Sequence, residues 1–279
     1  MPNIRMIIDN VGDSATLADA NANIVTTLPE ENIQNPLRSK VCRTTNLSDM
    51  IINIDWASSQ HLSGAGIFRH NLQSDGTWRL KLYESANRTG ALVYDSGALQ
   101  AVTPKSLGEL DWGVDALGAS VFDNWDQRFS TIWFTDVTAL SGELTLSNSS
   151  NSDGYLELGR FFIGYKFEPV TNVIYGLTQA YEEESIQYRT EGGSLRTDGK
   201  DPFRRFTMTL DNLSINERFK LFDATRRVGK RRDMVISVFP ESGTGRERDW
   251  TMNCKFTEIP VFENSNYQQY KTSFNVVES

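Results

Sequence analysis

Apolar and polar residues alternate along most of this chain, which predicts a structure built mainly of β-strands. The alternation is clearest at residues 78–83, Trp-Arg-Leu-Lys-Leu-Tyr, where apolar side chains take every second position. Runs rich in Gly, Asn, Ser and Asp separate these segments, a spacing typical of a β-sandwich or barrel. The pattern predicts strands at residues 4–8, 50–56, 66–72, 78–83, 92–94, 129–136, 142–146, 155–167, 172–177, 184–190, 204–210, 234–240 and 250–256.

One segment, residues 214–228, changes to a helical period. Ser214 and Glu217 have the spacing of a capping box, in which each side chain bonds the other residue's backbone N–H. The apolar stripe consists of Ile215, Phe219 and Phe222, with Leu221 and Val228 as further candidates. Ile215, Phe219 and Phe222 are predicted to pack beneath the neighbouring sheet. On that placement, Phe222→Ala would cost about 3 to 5 kcal/mol of stability.

Charge divides the chain near residue 172. Residues 1–172 hold 12 Lys and Arg against 20 Asp and Glu, whereas residues 173–279 hold 16 of each, so the front part carries the whole net charge of -8. A change of this kind favours a domain boundary, as does a length of 279 residues, and one large β domain is the alternative. The acidic front part disfavours a nucleic-acid partner, because phosphate binding needs clustered positive charge.

Targeting segments are not evident in the sequence. The apolar run near the start is too short for the core of a signal peptide, and no stretch approaches the roughly 20 apolar residues of a membrane span. We therefore expect a protein that is made in a cytoplasm and neither crosses a membrane nor follows the general secretory route.

Neither a metal nor a cofactor is predicted. Cys42 and Cys254 lie far apart in sequence without metal-ligand spacing, and buried free thiols are favoured over a disulfide. The loop at residues 148–153 lacks the spaced acids of a calcium loop, which favours a plain turn.

Histidine is too scarce to suggest an enzyme. The chain has His61 and His70 alone, and it lacks a nucleophile elbow, a phosphate loop and the paired motifs of zinc sites. His70 follows a predicted strand beside Asn71, which favours a turn-capping or surface role. A pair of carboxylates would serve a glycosidase without any histidine, but the sequence offers no convincing pair.

Tryptophans and acids cluster in one loop-rich segment. Exposed indole rings stack on sugars while carboxylates hold sugar hydroxyls, so this composition suggests glycan binding. Any solvated loop has a similar composition, which leaves that interpretation open. The tryptophans are Trp112 and Trp125, with Asp111, Asp115, Asp123 and Asp126 around them; the ligand-binding candidates are Trp112, Trp125, Asp115 and Asp123.

Basic residues are dense at the end of the predicted helix, between residues 226 and 232. Cations there compensate the helix dipole and form a solvated face. Contact with an acidic neighbouring subunit is the further interpretation, with Arg226, Arg227 and Arg231 as assembly candidates.

The order of elements resembles two modules known from tail proteins of long-tailed bacteriophages. The first is the galactose-binding-like, or discoidin-like, jelly roll, carried here by residues 54–56, 68–72, 78–83 and 154–160. The second is the β-plus-one-helix module of tail-tip and distal tail proteins, which is related to the tail tube. It is carried by residues 206–210, the capped helix and residues 235–240.

The resemblance implies a mainly β protein with a jelly-roll β-sandwich at residues 1–170 and a tail-tube-like β domain at 171–279, helix 214–228 included. It also implies a structural component of a tail tip or baseplate, located in the virion tail and made in the host cytoplasm. The second domain would form a hexameric or trimeric ring, and the protein would join other tail proteins. The jelly roll would project outward and either hold neighbouring proteins or contact a host-surface glycan. The alternatives are a carbohydrate-binding module or lectin-like receptor-binding protein, and a tail-associated glycosidase.

Overall fold

The computed structural model describes residues 2–123, 125, 127–241 and 245–279. It is mainly β, with 46% of the structure in strands, which confirms the predicted fold class. The strands are β1 (Arg5–Ile7), β2 (Thr16–Asp19), β3 (Cys42–Arg43), β4 (Met50–His70), β5 (Thr77–Tyr83), β6 (Leu92–Asp95), β7 (Leu99–Gln100), β8 (Phe129–Ser147), β9 (Glu157–Gly164), β10 (Lys166–Phe167), β11 (Thr178–Glu182), β12 (Ile186–Arg189), β13 (Leu195–Asp198), β14 (Phe203–Leu213), β15 (Met234–Ser237), β16 (Thr251–Phe256), β17 (Phe262–Asn266) and β18 (Gln269–Glu278). The α-helices within the described residues are α1 (Ile215–Val228) and α2 (Gly245–Trp250).

The chain forms two compact units. The first unit comprises Met1–Glu168 and Met234–Met252, and the second comprises Pro169–Asp233 and Asn253–Ser279. The segment that contains β15 and α2 thus belongs with the front part of the chain. A domain division at residue 170 stays a prediction.

The main sheet of the first unit has the strand order β3-β9-β4-β8-β5-β6, with β2 added to β4 and β7 added to β5. Its neighbouring strands are antiparallel. In β5 the buried positions alternate with partly exposed ones, as the sequence predicts, and Trp78 is 1% exposed. A smaller ladder in the same unit pairs β1 with β10 and β15. The sheets are sandwich-like.

Two pairs of predicted strands are single long strands. β4 joins the segments predicted at 50–56 and 66–72, and β8 joins those predicted at 129–136 and 142–146. The polar residues between the predicted segments suggested loops, but they continue the β4–β8 ladder. Irregularities in the pairing, between Asp55 and Gln60 and between Leu62 and Gly64, interrupt the alternation there.

A fully buried arginine of the first unit forms an ion pair with a partly exposed aspartate. The guanidinium of Arg160 is fully buried, and it donates from Nη1 to Oδ1 of Asp13 at 2.5 Å and from Nη2 to Oδ2 at 2.8 Å. Nη1 also donates to the carbonyl oxygen of Ile33 at 3.0 Å, and the guanidinium lies 4.7 Å from the ring centroid of Phe162. Such a charge is stable in an interior because it is paired and hydrogen-bonded.

The second unit contains a sheet in which β14 pairs with β11 on one side and with β18 on the other, while β18 also pairs with β16 and β17. β12 and β13 form a separate two-stranded sheet. The strand predicted at residues 172–177 is wrong, since these residues lie outside the strands.

Helix α1 confirms the predicted capping box and corrects the predicted apolar face. The backbone N–H of Glu217 donates to Oγ of Ser214 at 3.3 Å, and the Ser214 N–H donates to the Glu217 carboxylate at 2.9 Å. Phe219 and Phe222, however, are 57% and 45% exposed, and Ile215 is half-buried. The buried residues are Leu221, Thr225 and Val228.

The physical reason is that the helix turns its Leu221–Thr225–Val228 face inward, at a spacing of four and three residues. Phe222 instead packs edge-on against the ring of Phe262, 5.6 Å between centroids. The guanidinium of Arg218 lies over the Phe222 ring at 4.7 Å. The expected cost of about 3 to 5 kcal/mol for Phe222→Ala is therefore wrong, because that cost applies to fully buried aromatic residues.

The two cysteines are free and buried, as predicted. Cys42 lies in β3 of the first unit, and Cys254 lies in β16 within the second unit. Burial raises the pKa of both thiols, so neither is a reactive thiolate at neutral pH.

Candidate functional site

Three strand ends of the first unit surround a polar pocket of about 490 Å³. The C-terminal end of β4 meets the starts of β8 and β9, because β4 runs antiparallel to both, with Phe68 opposite Phe129 and His70 opposite Leu158. We call this cavity the strand-end pocket. It is lined by Arg69, His70, Asn71, Gln73, Trp125, Arg128, Ser152, Asp153 and Glu157.

His70 is the most unusual of these residues. The residue is 5% exposed, and no group among the described residues hydrogen-bonds either ring nitrogen. Burial, and to a smaller extent the charge of Arg128, lower the pKa of His70 to about 3. The ring is therefore neutral at pH 7 and offers one N–H donor and one acceptor nitrogen. Buried polar atoms are nearly always bonded, so this ring is suited to a polar ligand.

The backbone of Arg69 itself is strained where it borders the pocket. Its φ angle is +58°, in the left-handed region that non-glycine residues seldom adopt. Its N–H donates to the carbonyl oxygen of Arg128 at 2.8 Å, and its Nη2 donates to the carbonyl oxygen of Gly159 at 3.2 Å. Strain of this kind persists where surrounding bonds enforce it, and it concentrates at functional sites.

Asn71 builds one wall. Its Nδ2 donates to Asp153 Oδ2 at 3.0 Å and to the carbonyl oxygen of Tyr155 at 2.9 Å, and its Oδ1 accepts from the N–H of Glu157 at 2.8 Å. The Asn71 side chain thus ties the end of β4 to the segment that leads into β9. Outside this wall, Arg43 forms an ion pair with the carboxylate of Glu157. Its Nη2 and Nε donate to Oε2 of Glu157 at 2.6 Å and 2.9 Å.

Trp125 and Arg128 approach from the segment before β8. Nη1 of Arg128 donates to the carbonyl oxygen of Leu72 at 2.9 Å, which fixes the guanidinium beside the end of β4. The Trp125 ring is half-buried, and the guanidinium of Arg248 lies 4.4 Å from its centroid. The pocket therefore combines an indole ring with several hydrogen-bond donors and acceptors.

The structure separates the four residues predicted to bind a glycan. Trp125 lines the strand-end pocket, whereas Trp112 is 77% exposed elsewhere in the loop. Asp115 accepts from Nζ of Lys105 at 2.7 Å, a bond that keeps the pKa of Asp115 below its ordinary value. Asp123 accepts from the backbone N–H of Ser120 at 2.8 Å and so caps a turn. Asp126 lies outside the described residues.

Sequence reasoning does not place Arg69, His70 or Arg128 at a ligand site. The surface role predicted for His70 is wrong, because the residue is buried. The local signal is the change from the apolar run Gly66–Phe68 to three successive polar residues, Arg69–Asn71, at a strand end. That signal does not reveal which other segments the three residues meet.

The predicted assembly residues lie at the C-terminal end of α1 and just beyond it. Arg226 and Arg227 approach Asp223 at 3.3 and 3.6 Å, and all three side chains are at least 50% exposed. Arg231 is exposed. Pairs of this exposure contribute little stability, so the cations are accessible to a partner.

Metal and membrane sites are not seen in the described part of the chain. Among the described residues, no group of three or more His, Cys, Asp or Glu side chains is placed to hold a metal ion. Those residues also form no helix of the length and apolarity needed to span a membrane.

Comparison with known proteins finds no matching family model and no matching curated protein. Solved structures similar to this chain include carbohydrate-binding modules. Chitosan-binding module 1 of a chitosanase/glucanase from Paenibacillus sp. IK-5 has a TM-score of 0.39 at 10% identity, over 56% of this chain and 99% of that one. The family 32 module of NanJ from C. perfringens, solved with galactose, has a TM-score of 0.37 at 9% identity, over 57% and 98%. The family 32 module of AlyQ, solved with 4,5-unsaturated mannuronic acid, has a TM-score of 0.35 at 19% identity, over 56% and 96%.

Proposed function

We propose that the first unit binds carbohydrate in the strand-end pocket. The observation that carries the proposal is the buried, neutral ring of His70, whose two nitrogens have no hydrogen-bond partner among the described residues. A sugar hydroxyl both donates and accepts, so its hydrogen bonding matches the one donor and one acceptor nitrogen of a neutral imidazole ring. Leaving a buried polar group unbonded costs about 1 to 3 kcal/mol, which a ligand hydroxyl at this position recovers.

The surrounding groups suit the rest of a sugar ring. Arg69 and Arg128 supply N–H donors, Asp153 supplies acceptor oxygens, and Trp125 supplies a flat apolar face. Ligand sites commonly combine an aromatic surface with a few polar groups that fix orientation. A monosaccharide has about 12 non-hydrogen atoms, and each contributes roughly 0.3 kcal/mol of binding free energy. The expected Kd is therefore near millimolar. Multivalent presentation is expected to strengthen binding.

The test is a glycan array followed by calorimetry on the full chain, with His70→Gln and His70→Ala beside the wild type. His61→Ala is the matched control, because His61 lies in the same strand β4 and is exposed. We expect His70→Ala to lose at least tenfold in affinity and His61→Ala to bind as the wild type does. Thermal melting verifies that each variant is folded. Absence of any glycan ligand, or full binding by folded His70→Ala, would overturn the proposal.

A second candidate function, assembly through the second unit, is favoured by the distribution of exposed apolar residues. Of 19 large hydrophobic residues exposed in the described part of the chain, 12 lie in the second unit, which holds a third of the residues. Surfaces rich in exposed apolar residues mark interaction sites. Phe219 and Phe222 of α1 are two of the 12, and the cations Arg226, Arg227 and Arg231 follow them along the chain.

The β12–β13 hairpin supports the same candidate. All eight of its strand residues are exposed, including Ile186 at 60%, Tyr188 at 54% and Leu195 at 55%. A lone two-stranded hairpin is marginally stable in water. A hairpin with apolar side chains is therefore better suited to pairing with another subunit than to standing alone.

On this candidate, copies of the chain would form a ring, hexameric or trimeric, in the virion tail of a bacteriophage. The ring would join other tail proteins, and the strand-end pocket would contact a host-surface glycan. Light scattering and native mass spectrometry measure the mass of the wild type and of Ile186→Ser/Leu195→Ser. Val114→Ser/Leu117→Ser is the matched control, since these residues are 84% and 82% exposed in the first unit. Loss of oligomers in the hairpin variant alone supports assembly, and a strict monomer with strong glycan affinity would contradict it.

A further inference from the structure

The strand-end pocket presents charged groups of both signs to a ligand. Its charged lining consists of Arg69, Arg128, Asp153 and Glu157. The charge of Glu157 is already balanced by Arg43, whose Nη2 lies 2.6 Å from Oε2. Arg128 and Asp153 also face the pocket, and neither forms an ion pair within the described residues.

Arg128 is placed to receive an anion. Its guanidinium is anchored through Nη1 to the carbonyl oxygen of Leu72, and its own carbonyl oxygen accepts from the N–H of Arg69. None of the carboxylates in the described ranges forms an ion pair with it. The planar guanidinium fork matches a carboxylate at two points, and a group fixed in this way loses little entropy when it binds.

The pKa of His70 reports on the charge beside Arg128. Arg128 opposes protonation of the buried His70 ring. An anion that binds beside Arg128 offsets this positive charge, so binding is expected to raise the pKa of His70. Asp153 and Glu157, which face the same pocket, are present in both states and do not account for such a change.

We propose that the sugar bound in the strand-end pocket carries a carboxylate, as uronic and sialic acids do, and that this carboxylate pairs with the guanidinium of Arg128. The inference rests on the proposed carbohydrate binding and names the ligand class. The hydroxyls of the same sugar would bond His70 and Asp153. A neutral sugar would use these hydroxyl contacts but would leave the Arg128 fork unpaired.

The experiment compares acids with their own methyl esters on the full-length wild-type chain. Galacturonic, glucuronic and mannuronic acid and N-acetylneuraminic acid are titrated at pH 7 by calorimetry, each beside its methyl ester. We expect at least one acid to bind tenfold or more tightly than its ester, and the difference to shrink at high salt. Arg128→Gln is expected to bind acid and ester equally. Arg79→Gln, an exposed arginine of β5, is the control that keeps the preference.

Failure of this inference and failure of the proposed function give different results. Equal binding of every acid and its ester by the wild type overturns the acidic-sugar inference and leaves carbohydrate binding intact. Acetate that binds as tightly as the acids also overturns it, because the pocket would then be a plain anion site. Absence of binding by any sugar, neutral or acidic, overturns the proposed function itself. A rise of the His70 pKa on adding the acid, followed by NMR, supports the inference independently of Arg128→Gln.

Discussion

Gly159 lies directly against Arg69 across the β4–β9 ladder. A Cβ atom added to Gly159 would sit 2.8 Å from Cβ of Arg69 and 3.2 Å from its carbonyl oxygen. The two strands approach this closely because Gly159 has no side chain. Arg69 has a positive φ at this contact. The backbone at the strand-end pocket therefore depends on both residues.

Gly159→Ala is therefore expected to push β9 away from Arg69. We expect a loss of about 1 to 3 kcal/mol in the free energy of unfolding, as for overpacked sites, together with weaker ligand binding. Urea unfolding measures the first quantity. Gly108→Ala is the control, since a Cβ there meets no atom within 4 Å and its φ is not positive. Equal stability of the two variants would contradict the close contact.

Truncating two neighbouring side chains of helix α1 is expected to reduce the stability of the chain by very different amounts. Leu221 is 0% exposed and Phe222 is 45% exposed. Leu221→Ala should cost about 2 to 5 kcal/mol because it leaves a cavity. Phe222→Ala should cost about 1 kcal/mol or less, since it removes one edge contact and partial burial. Chemical denaturation of both variants tests the order, and a larger loss in Phe222→Ala would contradict the orientation of the helix.

The burial of Arg160, whose partner Asp13 is partly exposed, predicts a large effect of removing the partner's charge. Asp13→Asn leaves the fully buried guanidinium without its carboxylate, and a loss of about 3 kcal/mol is expected. Asp95→Asn, which breaks the exposed pair with Arg79, should cost about 1 kcal/mol or less. The comparison is made by thermal and urea unfolding at low and high salt. Equal costs would contradict the difference in burial.

His70 makes stability depend on pH. Its pKa in the folded chain is about 3, against about 6.5 in an unfolded chain. The unfolded state therefore binds the extra proton below pH 6.5, and the folded state loses stability as the pH falls from there toward 3. Between pH 7.5 and 5.5 this linkage removes about 1.4 kcal/mol.

The measurement for that linkage is urea unfolding at both pH values. The wild type should lose about 1.4 kcal/mol more than His70→Gln, which cannot titrate. His61→Gln provides the reference for losing the exposed histidine of the same strand. Identical pH dependence of the wild type and His70→Gln would show that folding does not lower the pKa of His70.

Local sequence patterns account for much of the fold. The alternation at residues 78–83 corresponds to β5, and the capping box starts α1 at the predicted place. Local sequence patterns fail where contacts with a distant strand or sheet determine the structure. The polar stretch inside β4 is held in a strand by its partner β8, and the apolar face of α1 depends on which residues the sheet covers.

The strand-end pocket could be predicted only in part. Trp125 was suggested by composition, because an aromatic residue among acids is a local feature. His70, Arg128 and Asp153 come from segments separated by more than 20 residues, and the registers of β4 with β8 and β9 bring them together. No local pattern specifies those registers. The burial of His70, on which the proposed function depends, follows from them.

The most direct measurement of carbohydrate binding is the NMR signal of the His70 ring during titration with sugars that bind in the array. Carbohydrate binding in the strand-end pocket predicts a saturable shift of the His70 ring resonances, with the affinity found by calorimetry. The His61 resonances on the same strand should not move. Saturation of the chain with a bound sugar while the His70 signals stay unchanged would contradict the proposal.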